Sequence, residues 1–353
     1  MTSAVFAIPG DIEMPTGGYM YDRRVLALLP RAGIAVRHVQ LPGSFPDPPT
    51  SDLAETGRLL AAIAPGTAVM IDGLAYGALP AALIERMRAP IIALVHHPLC
   101  LEAGLPRARQ EALHALETCA LALAKRIIVT SRMTAQTLTQ DFAVPQDKIT
   151  IAEPGTDPAP RARGSSQGPL QLLAVGSIVP RKAYDILVRA LAPLAHLDWR
   201  LTIAGPMDRS AEALTAVRAA IDETGLGARI TLAGAVSRQA LAELYHSADV
   251  FLMPSLYEGY GMVLAEAMAR GLPIVCTTGG AAAETVPDVA AIKVAPGDER
   301  ALGDAIGRIL DDAGLRKKLA DASWAAGQGL PRWEDTARAV VGVIAEVAGE
   351  GAQ

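Results

Sequence analysis

Two glutamates, Glu258 and Glu266, stand with seven residues between them where an apolar run gives way to a helical pattern. The run Val250-Phe251-Leu252-Met253 ends at Pro254 and reads as a buried parallel strand; the residues after Gly261 read as a helix. Gly259 and Gly261 let the backbone turn sharply between the two. The helix start at Tyr260-Gly261-Met262-Val263 then offers unpaired amides and the positive end of a dipole, which suits a phosphate. The glutamates themselves would repel a diphosphate. Ionised carboxylates accept hydrogen bonds, however, and sugar hydroxyls donate them. With a rise of about 1.5 Å per residue, the two carboxylates lie on the order of 10 Å apart, one near each end of a diphosphate. The ligand suggested is a sugar–diphosphate–ribose–base.

Other residues could serve the same ligand. Gly176-Ser177-Ile178-Val179-Pro180-Arg181-Lys182 is a basic loop after the apolar run 170–175. The chain has 26 Arg and only six Lys, so Lys182 is not the default cation, and a compact ammonium suits a phosphate. Gly17-Gly18 lies between the first apolar run and a helical pattern, where glycines admit a ligand to backbone amides. No G-x-G-x-x-G occurs there, which disfavours a nicotinamide dehydrogenase. His96-His97 follows the strand-like run 91–95, with no local carboxylate or cysteine cluster to make a metal pair. Asp72 follows the run 68–71; it could meet an acceptor, but an Asx-type turn is its expected role.

At residues 258–267 the chain resembles the paired-glutamate motif of retaining glycosyltransferases of family 4, and the Arg181-Lys182 loop resembles that family's phosphate loop. The resemblance implies an α/β protein of GT-B fold, two Rossmann-like β/α domains facing across a cleft. It further implies that Lys182 and Arg181, with the Gly17 and Gly18 amides, face the donor diphosphate. Glu258 would hold the donor sugar hydroxyls, Glu266 the ribose, and His96 would sit on the acceptor side of the sugar. Gly279-Gly280 would lie near the sugar, and the loop Gly234-Ala235-Val236 near the base. Retention of anomeric configuration rests on the resemblance alone; no second catalytic carboxylate argues for a double displacement. One departure stands out: Ser177 occupies a position where many relatives carry arginine.

No D-x-D triplet occurs, so neither metal nor other cofactor is implied, and the cationic groups are expected to stabilise the leaving diphosphate. The partners expected are a nucleotide-diphosphate sugar donor and an unidentified hydroxyl acceptor: lipid, small glycoside or glycan precursor. A sugar-nucleotide epimerase or hydrolase, and a non-catalytic sugar-nucleotide-binding partner, are the competing readings.

The bulk composition narrows the class. At 353 residues, half of them hydrophobic, the chain can build two cores. A net charge of −5 argues against a nucleic-acid partner. Residues 1–165 carry 15 basic and 15 acidic side chains, which indicates no polybasic membrane patch. Cys100, Cys119 and Cys276 show no paired or metal-like spacing and read as buried free thiols of a reducing compartment. Met1-Thr2-Ser3-Ala4-Val5-Phe6 has no basic region before its apolar residues, so it reads as a first strand, not a signal peptide, and the expected location is the cytoplasm.

Strand-like runs at 3–8, 34–39, 68–71, 91–95, 127–129 and 149–152 precede a Pro/Gly-rich linker at 154–169; runs at 170–175, 201–204, 230–232, 250–253 and 274–276 come after it. The domains expected are 1–160, 168–330 and a C-terminal helical segment, 331–353, packing back on the first. Leucines 113, 116 and 123 are expected to face the core from a helix over 105–124.

Overall fold

Apolar runs without alternation fold as central strands here because helices cover both faces of each sheet. In a computed structural model describing residues 2–165 and 167–350, the first sheet holds β1 (Ser3–Pro9), β2 (Ala35–Leu41), β3 (Ala68–Asp72), β4 (Ile91–Val95), β5 (Arg126–Val129) and β6 (Ile149–Ile151). The second holds β7 (Leu170–Val175), β8 (Trp199–Ala204), β9 (Ile230–Gly234), β10 (Val250–Met253), β11 (Ile274–Thr277) and β12 (Ala291–Val294). Met1, Ser166 and residues 351–353, where parts of the expected linker and final segment fall, lie outside the described residues. The strand orders are β2-β1-β3-β4-β5-β6 and β12-β11-β10-β7-β8-β9, with every named pair parallel. In such sheets ligands meet the carboxyl ends of the strands, where the strand order reverses.

The chain divides into two units, Met1–Gly155 with Pro331–Gln353, and Thr156–Leu330. In the first unit the final helix, Trp333–Glu350, is tied to β5 and to the segment that follows β6. Gly155 crosses it so closely that a Cβ would stand 2.2 Å from the Trp333 amide nitrogen. Thr336 donates to the Glu153 carbonyl at 2.6 Å, and Arg126 pairs with Glu346 at 2.6 Å. Among the described residues no helix is long and apolar enough to cross a membrane.

Several expectations need correction. Gly17 and Gly18 do not form a loop; they open the helix Gly17–Leu28, which Thr16 caps by accepting from the Tyr19 amide. The helix Ala211–Thr224 and the strand β12 were not expected; Ala-rich periodicity and a four-residue strand holding Lys293 carry weak signals. Cys119 is exposed, while Cys100 and Cys276 are buried. On the helix Arg107–Leu123 the buried positions are Leu113, Glu117, Ala120 and Leu121, and Leu123 is exposed instead. The segment after Asp72 is a short helix, Gly73–Tyr76, which Asp72 caps through the Leu74 amide at 2.8 Å, the Asx-type role expected of it.

Candidate active site

The strand ends of the second unit are brought together by glycines. Gly176, Gly205 and Gly234 close β7, β8 and β9; Gly176 N–H donates to Ala204 O and Gly205 N–H to Gly234 O. A Cβ on Gly205, at φ +157°, would fall 2.0 Å from the Gly176 carbonyl oxygen. Gly279-Gly280 does the same for the loop after β10: Glu258 and Gly280 form a parallel bridge, and a Cβ on Gly280, at φ +60°, would lie 2.4 Å from the Glu258 carbonyl oxygen. This close approach fixes the backbone that carries the first glutamate.

Arg181 and Lys182 reach the same loop from a single turn, Pro180–Lys182. Leu256 N–H donates to the Arg181 carbonyl at 2.8 Å, and the Arg181 Nη1 donates to the Tyr257 carbonyl at 2.7 Å. The Lys182 ammonium donates to Glu258 Oε1 at 2.6 Å, and the Arg181 guanidinium stands 3.2 Å from the same oxygen. Lys182 and Glu258 are both buried. Burial alone would push the Glu258 carboxyl up, but the Lys182 and Arg181 charges outweigh it and hold the group down at about 2. The cluster is therefore two cations on one carboxylate. Ser177, half-buried, stands in the same loop.

Gly261, left-handed at φ +86°, starts the helix Met262–Met268, the boundary expected from the glycine turn. Tyr260 is buried, Met262 and Val263 half-buried. Glu266 is held apart from the Lys182 cluster by its own partners: Tyr245 donates to Oε2 at 2.8 Å, and Arg270, lying 4.4 Å over the Tyr245 ring, donates to the Glu266 carbonyl. Burial raises the Glu266 carboxyl, against the lowering by Tyr245 and Arg270. Tyr245, which holds the Glu266 carboxylate, was not singled out from the sequence.

In the first unit His96 follows β4 and packs on the helix Gly17–Leu28. A Cβ on Gly18 would stand 3.4 Å from the ring, and Tyr21 meets the ring edge-on with centroids 5.3 Å apart. Nε2 lies 3.3 Å from Asp22 and 3.2 Å from Asp72. Asp22 was not singled out from the sequence. These three donor atoms all lie within 4.8 Å of one another, a set that a bridging cation would fit. His97 turns elsewhere, 3.2 Å from Glu102.

Models of two glycosyl transferase families match this chain: "Glycosyl transferase 4-like domain" over residues 11–155 and "Glycosyl transferases group 1" over residues 169–312. The chain belongs to the family 4-like glycosyltransferases. It is 30% identical over 243 residues to a D-inositol 3-phosphate glycosyltransferase of Xylanimonas cellulosilytica, a match covering 64% of this chain and 58% of that one. Across three of the curated relatives the match spans 58%, 65% and 52% of their length. Among solved structures, sucrose-phosphate synthase from Thermosynechococcus elongatus superposes with a TM-score of 0.83 at 22% identity, covering 98% of this chain and 100% of that one. The Anabaena protein HepE in complex with UDP-glucose gives 0.76 at 16% identity, over 97% and 99%. At these identities the two structures speak for the fold alone, and that fold is GT-B.

Proposed function

We propose that the chain is a cytoplasmic, retaining glycosyltransferase that moves a sugar from a nucleotide-diphosphate donor to a hydroxyl acceptor, without a metal ion at the diphosphate. The carrying observation is the cluster of Lys182 and Arg181 on Glu258 at the strand ends of the second unit. An ammonium has three donors. Glu258 takes one and so aims the ammonium, whose charge stabilises the diphosphate as charge develops on the leaving oxygen. Glu258 meets the sugar hydroxyls, Glu266 the ribose, and His96 the sugar from the acceptor side. The Gly17 and Gly18 amides, in the first turn of a helix, have no intrahelical acceptor and suit phosphate oxygens. UDP-glucose bound to the Anabaena neighbour makes UDP-sugars the first donors to try, and the Xylanimonas relative makes a phosphorylated polyol the first acceptor.

The test is a thermal-shift screen of UDP-, GDP- and ADP-sugars, followed by transfer assays with and without acceptor. A donor at a hundredfold its Kd adds about 2.7 kcal/mol. Donor turnover that needs an acceptor supports transfer. Turnover without one indicates an epimerase or hydrolase, and binding without turnover a non-catalytic partner.

A further inference from the structure

The first unit buries two carboxylates against one imidazole. Asp22 comes from the interior face of the helix Gly17–Leu28, Asp72 from the end of β3, and His96 from just after β4. Asp22 is fully buried and Asp72 nearly so, at 0% and 2% exposure. Neither oxygen of Asp22, nor Nε2 of His96, has an aligned hydrogen bond. The Nε2 contacts of 3.3 and 3.2 Å are instead shared between the two acids. Asp72 has a second duty, since its Oδ1 caps the following helix. Asp22 has none: the groups acting on it are Asp72 and His96. A buried carboxylate with no partner is costly, so Asp22 is in place for what it does to His96.

The side chain of His96 is 21% exposed, while its Nε2 is fully buried. With Nε2 enclosed by acids, Nδ1 is the nitrogen left to meet a ligand. We propose that Asp22 is a positioning residue: with Asp72 it holds the Nε2–H of His96, so that the ring is carried as an imidazolium and offers its Nδ1–H as a donor to an oxygen of the bound sugar nucleotide. The assignment of a ligand to His96 rests on the proposed glycosyl transfer; the state of the ring does not. The groups around the ring agree with a cation. Burial works against the charged ring, but Asp22 and Asp72 prevail and carry His96 up to about 10. Tyr21, beside the ring, donates its phenol away to the Ala152 carbonyl, and Thr130 donates to the His96 carbonyl. A divalent ion could occupy the same three donors, but a closed site wants four, and among the described residues this group supplies three.

The test uses the full chain labelled with ¹⁵N-histidine, with His96→Gln to assign the signal. At pH 8 both His96 nitrogens should carry protons. In Asp22→Asn the titration should move down toward neutrality. If it moves to about 7, roughly a tenth of the rings stay charged at pH 8, so kcat should fall about tenfold there and recover as pH is lowered. Binding of the nucleoside diphosphate should hold steady, and circular dichroism verifies that the variant folds. A neutral His96 at pH 8 overturns the proposal. So does a stoichiometric metal ion with Nε2 deprotonated, and so does an Asp22→Asn loss equal at every pH. If the protein transfers no sugar at all, the functional reading fails, and the nitrogen signals still decide the state of the ring.

Discussion

Each unit carries a buried charge cluster at its strand ends, and these two clusters are opposite in composition. In the second unit two cations share one carboxylate; in the first, two carboxylates share one imidazole. The surplus sets the chemistry. Around Glu258 the surplus is positive, the carboxyl is held down at about 2, and an anion can still be drawn in. Around His96 the surplus is negative, and Asp22 is pushed up to about 7 by burial and by Asp72. In the proposed reading the same element, a buried acid touching a base, serves an anionic diphosphate in one unit and a ring that stays charged in the other.

Removing the surplus cation should have the largest effect. Lys182→Ala leaves Glu258 buried with Arg181 alone, and Arg181 is already committed to the Tyr257 carbonyl. The expected loss in turnover is on the order of 10²-fold or more, as for removal of one oxyanion donor. Steady-state kinetics with the identified donor measure it. Near-normal turnover would remove Lys182 from the mechanism and leave the cluster as a structural ion pair.

A smaller effect separates the two glutamates. Amides keep the size and lose the charge, so bonds of roughly 1.5–3 kcal/mol are at stake. Glu266→Gln should weaken both the sugar nucleotide and the bare nucleoside diphosphate in calorimetry. Glu258→Gln should depress transfer and leave nucleoside diphosphate binding nearly intact, because Lys182 and Arg181 remain. The reverse pattern would mean that the ligand runs the other way along the helix Met262–Met268.

The glutamate cluster was legible in the sequence for a local reason: strand, glycine turn and helix succeed one another within a few residues, and Lys182 stands out in an arginine-rich chain. β4, β7 and β10 were legible to the residue because a strand buried on both faces is a continuous apolar run. Contact at a distance could not be read. Nothing in the sequence pairs Lys182 with Glu258, 76 positions apart. Asp22 was hidden by Arg23-Arg24, which make the segment look like a solvated face. Yet Asp22 lies on the helix face of Tyr21, Val25 and Leu29, all buried. Glu117 was hidden likewise among Leu113, Ala120 and Leu121; it accepts from the Leu99 amide at 2.9 Å, and burial pushes it up to about 8. An acid that falls on the apolar stripe of a helix is the signal that would have found both.

The clusters should also part company in their pH windows. Glu258 has its carboxyl depressed from 4.5 to about 2, so its contribution to stability is present above pH 4.5 and lost as pH falls through 2. Asp22 and His96 are raised, from 3.8 to about 7 and from 6.5 to about 10. Their contributions are full below the unfolded values and are lost as pH rises through the folded ones. Asp22→Asn mimics the protonated acid. Wild type and variant should therefore melt together below about pH 3.8, and the variant should become the more stable by a few degrees as pH rises from there to about 7. A variant less stable at pH 8 would mean that the native state favours the ionised Asp22 and that its carboxyl is not raised.

The smallest expected effect is none. If Lys182 and Arg181 neutralise the leaving diphosphate, transfer should survive EDTA at its full rate, since their charge is covalently part of the chain and chelation cannot remove it. The contrast between the clusters makes a positive result informative too. Activity lost to EDTA and restored by Mg²⁺ or Mn²⁺ would require carboxylate ligands. Two places could supply them: Asp11 and Glu13, in the turn where Asp11 accepts from the Glu13 amide at 2.9 Å, or the Asp22, Asp72 and His96 group. Asp22→Asn divides them. Metal dependence that persists in that variant points to the turn. Metal dependence that vanishes with it would mean the first unit balances its surplus negative charge with a metal ion and not with a proton.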